Sequence, residues 1–308
     1  MNPPLVEKGG GQWTQEESED HINQLEIRAV RFALAACYDD VHDLHIRIFS
    51  DNSTTVSALN HQGSVRSKAC DKEAHIVWQW AEARDCWLSA AFVPGVLNCV
   101  ADEKSRKFNH DSEWSLNDAI FQEICKIFGQ PDIDLFASRL NYKIKPFCSW
   151  SPEPGAAFVD AFTVKWSDFT LPFIFPPFSM VARVLQQLDQ YKMRAIVVLP
   201  WWPTQSWFGT FSRMIMDVPR LIKVKRGTLS LKHNLALVHP MVGKLHLIAV
   251  KLSATASDVE AFLVKYRTQC SMQEKKGLEC NTKYTLKHGM NIVVRGVSVR
   301  PEHLSLNV

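Results

Sequence analysis

The sequence is short of several things that would announce a function at once. It has no Cys-x-x-Cys pair, and its eight cysteines are scattered, so the common zinc-ribbon and dithiol-redox motifs are excluded. Cys270 and Cys280 are the closest late pair, and their spacing fits no usual zinc-ligand pattern. The opening MNPPLVEKGGGQW lacks the apolar core of a secretory leader, and no later run approaches the length of a membrane span. These absences predict an intracellular protein, cytoplasmic or nuclear, without a membrane partner. There is no internal repeat. Charge of one sign is also scarce. The formal net charge is +3, so a general affinity for polyanions is excluded and any nucleic-acid contact must be local.

What is present suits a globular protein. The 308 residues predict two domains, and 46% hydrophobic against 22% charged is ample for real cores. Ten tryptophans is a high count. Trp150, Trp201, Trp202 and Trp207 stand near prolines, a pattern of fixed aromatic walls.

Alternation and helical spacing give the first elements. His21–Asp40 carries apolar residues at Ile22, Leu25, Ala29, Val30, Ala33, Leu34 and Cys37, a helical stripe with Glu26 on or beside it. A carboxylate there is costly unless something answers it. Leu44–Phe49 alternates like a strand and runs into Asp51. A short helix follows and stops at Gly63. A longer helix over 67–87, a strand over 88–95 and a helix opening at Asn98 come next, with Asp102 in that last helix. Asp51 has two readings at this point: an ordinary helix N-cap, or a metal ligand at the mouth of a sheet. Glu26, Asp51 and Asp102 are the carboxylates that could converge on a hard cation.

Three blocks, GQWT…HINQLEIRAV, SDNSTTVSALNHQG and FVPGVLNCVADEKSR, in that order over Gly11–Arg106, resemble the RNase H domain of DIRS-type (tyrosine recombinase) retrotransposon polyproteins. The resemblance implies that Glu26, Asp51 and Asp102 are catalytic metal ligands for Mg2+. It also implies an RNA–DNA hybrid, or DNA, as the partner, cleaved by an RNase H endonuclease alongside a reverse transcriptase. That family orders its sheet 3-2-1-4-5, with the first catalytic aspartate on strand 1. Here the chain enters at GQWT, expected as the third strand, and no Asp precedes Asp20. The expectation is an N-terminally truncated RNase H-like domain that does not cleave, with an unpaired edge on the 44–49 strand. Two alternatives stay open: a non-catalytic nucleic-acid-binding or interaction protein, and a nuclease completed by a missing N-terminal segment.

Composition shifts after Phe128. Asp132–Asn141, Phe173–Ser179, Ser179–Leu188 and Leu199–Phe208 resemble the Dam-like methyltransferase segment that follows RNase H in the same elements. The resemblance implies a Rossmann-like α/β domain in which Asp134, Pro176, Pro177 and Phe178 hold cofactor and flipped base. Phe175 stands where the family has an Asn or Asp, and no Gly-x-Gly loop occurs between residues 130 and 253. S-adenosylmethionine is therefore not expected to bind. Read without the resemblance, the same Phe-Pro-Pro-Phe is a rigid turn at a strand end. Arg220–Gly227 is a small basic cluster that could touch phosphate, or simply line a solvated strand edge. The expected organisation is residues 1–110, an α/β RNase H-like domain; 111–129, a linker helix; 130–253, a methyltransferase-like α/β domain; and 254–308, a poorly defined tail.

Overall fold

The computed structural model describes residues 9–99, 101–102, 113–268 and 291–304. The first unit is helix α1 (Ile22–Cys37), strand β1 (His45–Ser50), helices α2 (Ser53–Asn60) and α3 (Lys68–Glu82), and strand β2 (Trp87–Phe92). The α1 stripe is rotated from its expected position. Leu25, Ile27 and Leu34 are buried while Ile22 faces solvent. Helix α3 is capped by Ser67 and buries Cys70, Ala74, Val77, Trp78 and Ala81, residues spaced by one helical turn. The Trp78 indole N–H donates to the Leu59 carbonyl at 2.9 Å, which locks α3 on α2.

Strands β1 and β2 pair in parallel from His45 opposite Trp87 to Ser50 opposite Phe92. Among the described residues they form a sheet of two strands. The far edge of β2 is occupied at Ala90. The Asn60 side chain accepts from its N–H at 2.8 Å and donates to its carbonyl at 2.9 Å, doing for that residue what a neighbouring strand would do.

A buried ion cluster ties α1 to α3. The Glu73 side chain is 6% exposed and meets Arg28 at 2.7 Å and Arg31 at 3.0 Å. Arg28 also reaches Asp20 at 2.8 Å.

The stretch Gly11–Thr14 forms no strand, contrary to expectation. Its ladder groups are used in a strap instead. Thr14 and Glu17 cap one another, the Thr14 N–H donating to Glu17 Oε2 and the Glu17 N–H to Thr14 Oγ1. Gln15 donates its N–H to the Lys232 carbonyl and accepts from the Leu235 N–H. The strap thus lies between the first unit and the second.

The second unit is built on an eight-stranded mixed sheet. Its strands are β4 (Asp134–Ala137), β5 (Phe147–Ser149), β6 (Phe158–Val159), β7 (Phe173–Ile174), β8 (Arg194–Pro200), β9 (Arg220–Lys223), β11 (His246–Ser253) and β14 (Glu302–His303), in the order β14-β9-β11-β8-β7-β4-β5-β6. Strands β4 to β8 are parallel, and β11 runs antiparallel to both β8 and β9. Strand β8 reads Ala-Ile-Val-Val-Leu because both of its faces are covered. Ala195, Val197 and Leu199 enter one core and Ile196 and Val198 the other. Helix α5 (Val181–Tyr191) and helix α6 (Phe208–Arg213) cover the first face, and helix α4 (Asp118–Phe128) the second.

Two expected boundaries need correction. Over 113–129, inside the segment expected as a linker helix, a helix does form, but it packs into the second unit: α4 fills one core with Ile120, Phe121, Ile124 and Phe128, and β3 (Ser115–Leu116) pairs with β10 (Leu229–Ser230). The tail is not poorly defined over 254–268 and 291–304. A helix over 256–268 buries Val259, Phe262 and Leu263, a spacing of three and four that matches its turn. Strands β12 (Ile292–Val294) and β13 (Val297–Val299) form a hairpin through Arg295-Gly296, both at positive φ, and β14 completes the sheet edge. The polar run Met272–Gly289, with Cys270 and Cys280, lies outside the described residues.

Removing the acid from the buried cluster leaves Arg31 without its counter-charge and Arg28 with Asp20 alone. Glu73→Ala should lower unfolding free energy by about 3 kcal/mol, read from the urea midpoint, while Arg31→Ala, at a more exposed partner, should cost about 1 kcal/mol. Equal effects of the two would show that the cluster does not depend on Glu73.

Candidate metal and nucleic-acid site

The chain leaves β1 at Ser50 and turns at once into α2. The cap of α2 is Asn52, not Asp51. Asn52 Oδ1 accepts from the N–H groups of Thr54 and Thr55 at 2.9 and 3.0 Å. Its amide also donates to Asn23 Oδ1 at 3.0 Å, joining the start of α2 to the first turn of α1. Because Asn52 takes the capping role, Asp51 is released from it. Among the described residues no hydrogen bond or ion pair engages Asp51.

Glu26 comes from the second turn of α1 and faces Asp51. Burial, and then the Asp51 charge, hold the Glu26 carboxyl above its ordinary acidity range. The loop after β2 closes on the same place. A Cβ on Gly95 would stand 3.4 Å from Asp51 Oδ2, so a small residue lets the loop come close. Three elements therefore meet at the carboxyl end of β1.

Asp102 lies on the helix that begins at Cys99, its N–H donating to the Asn98 carbonyl at 3.0 Å. Among the described residues, no three His, Cys, Asp or Glu side chains gather closely enough to hold a metal ion. The structure brings Glu26 and Asp51 together. The Asn23–Asn52 clamp and Gly95 were missed in the sequence. The Asn-Ser-Thr-Thr run was a legible signal for the clamp, since Asn ranks with the strongest N-cap residues.

The second set of candidates divides along the sheet. Asp134 opens β4 and is registered against Phe173, the first residue of β7. Pro176, Pro177 and Phe178 follow the end of β7, where the Met180 N–H donates to the Pro177 carbonyl and starts a short 3-10 turn. Asp134 and the Pro-Pro turn thus belong to opposite ends of these strands. Asp134 is fully buried. Its Oδ2 accepts from the Lys143 N–H at 3.0 Å, and its Oδ1 has no hydrogen-bond partner. Burial pushes its carboxyl up to about 7, against the pull of the Lys143 and Phe136 N–H groups and the Lys143 charge. The Phe178 ring meets Trp202 edge-on at 5.2 Å. Phe175 packs on the α4 side of the sheet.

No protein-family model matches the chain, and no curated protein matches it. The chemistry must therefore be argued from the residues. Two carboxylates that repel each other and, among the described residues, pair with no cation form an oxygen donor set suited to a hard divalent ion.

Asp134 sets a stability prediction. Its carboxyl is raised in the fold above the unfolded value of 3.8, so the acid form stabilises the protein. That contribution is complete below about pH 4 and is lost as pH rises through about 7. The melting temperature should fall between pH 5 and 8, and Asp134→Asn should flatten that fall. An unchanged pH slope in the variant would show that Asp134 is not its source.

Proposed function

We propose that this chain derives from the RNase H and adjoining Dam-like methyltransferase segments of a DIRS-type retrotransposon, and that its first unit binds RNA–DNA hybrid through a divalent cation without cutting it. The observation that supports this reading is the approach of Glu26 to Asp51, which is not the α2 cap and pairs with no other side chain among the described residues, where β1, α1 and the Gly95 loop meet. A cation such as Mg2+ held there supplies positive charge to a phosphate. Glu26 and Asp51 offer the oxygen ligands, and the Asn52–Asn23 hydrogen bond keeps the two elements that carry them in register. Because Glu26 is raised by its surroundings, metal must displace a proton more often as pH falls, and cation affinity weakens in acid.

Cleavage of a phosphodiester by two ions needs more ligand oxygens than one pair of carboxylates provides. In the second unit, the Asp134 carboxylate is sealed in the interior and the Phe178 ring is committed to Trp202, which supports a methyltransferase-like scaffold without transfer.

The test is a labelled RNA–DNA hybrid incubated with the protein and Mg2+ or Mn2+. No cleavage is expected. Hybrid binding should be metal-dependent and should weaken by about 10-fold or more in Asp51→Asn. Cleavage abolished by Asp51→Asn would replace this reading with an active nuclease. Binding that ignores both metal and the substitution would leave the carboxylate pair without a role.

A further inference from the structure

The basic cluster at the start of the β9–β11 ribbon is not absorbed by that reading. In this antiparallel pair Lys223 stands opposite His246. The pairing continues beyond the strands, with the Val224 N–H donating to the Leu245 carbonyl at 3.1 Å. Val224 and Leu245 are buried in the same core as Ile222 and Leu247. Strand alternation therefore turns Lys223 and Lys225, with Lys244 and His246, to the other face. The three lysines are exposed there, and Arg226 extends the cluster into the turn.

Among the described residues, no carboxylate forms an ion pair with Lys223, Lys225, Arg226 or Lys244. Glu302 on the neighbouring strand β14 is already engaged by Arg220. Like charges crowded on one face repel. Among the described residues no carboxylate offsets that cost, which an external anion would remove.

We propose that this ribbon binds the phosphodiester backbone of a polynucleotide. Four cations spread over the end of the ribbon and its adjoining turns suit a chain of phosphates more than a single anion. A lipid surface would also require apolar side chains set among the cations. Here Met241 is the apolar neighbour, in the Lys244 turn, and the exposed Leu235 and Leu237 belong to a separate turn held to Gln15. The contact is independent of sequence and of metal, and it does not involve Glu26 or Asp51.

The experiment is fluorescence anisotropy of the full chain with labelled single-stranded DNA and with RNA–DNA hybrid, in chelator, across a salt series. Lys225→Gln/Lys244→Gln removes two cations from exposed positions, and its circular dichroism should match the parent. Its affinity at low salt should fall by about 10-fold or more. Its slope of log affinity against log salt should shrink by about 1.8 on the duplex and about 1.4 on the single strand. Lys192→Gln, at a distant surface site, should leave both unchanged, and so should Asp51→Asn when metal is absent. Parent-like affinity and slope in the double variant would overturn the proposal. So would binding to phosphatidylserine vesicles without binding to either oligonucleotide.

Discussion

One guanidinium, working beside the Gln15 contacts of the strap, ties the two units together. Arg139 leaves the end of β4 and reaches across to the strap, donating to Glu17 Oε1 at 2.9 Å and to the Gln12 carbonyl at 2.7 Å. It also lies over the Phe32 ring of α1, 4.8 Å from the centroid. Its own backbone N–H donates to Glu153 Oε2 at 2.5 Å. A planar fork with several donors can satisfy an acid, a carbonyl and an aromatic face from one position, and a lysine could not. The acids around it are crowded. Burial and neighbouring Glu113 raise Glu153 to about 7, with Arg139 pulling the other way. The placement of α1, and with it Glu26, against the large sheet rests on this junction.

The capping arrangement at α2 divides labour between adjacent side chains. Asn52 spends its oxygen on two backbone N–H groups and its amide on Asn23. Asp51 keeps its carboxylate for solvent or a cation. Had Asp51 been the cap, its charge would have been absorbed by the helix N-terminus and Glu26 would face a weaker neighbour. The second unit made the opposite choice at Asp134, burying the carboxylate and answering one oxygen with a backbone N–H.

Long elements with a strong period were legible in the sequence. Strand β8 announced itself as an unbroken apolar run, and α5 as an amphipathic helix. The short parallel strands β5, β6 and β7 have two or three residues each, too few to show a period, and are defined by their neighbours. Gly11–Thr14 looked like a strand, but the Thr14–Glu17 capping pair was the stronger local signal. Over 254–268 the polar residues outnumber Val259, Phe262 and Leu263, although those three suffice to dock the helix. At the site, Glu26 and Asp51 were legible as acids beside a helical stripe and after a strand. The Asn23–Asn52 hydrogen bond and the close approach of Gly95 were not, because both join segments distant in sequence.

The position of β11 has a consequence for how the protein is made. A late strand lies at the middle of the sheet, clamped between β8 and β9, and it runs against the direction of its neighbour β8. On the ribosome, β4, β7 and β8 emerge first with one side of their assembly unmatched. The edge of β8 must wait for residues 246–253 to arrive. During that interval a strand buried on both faces in the finished protein is open to other chains. The rate of translation between the two strands, and any chaperone that shields β8, should then govern yield more than the final stability does.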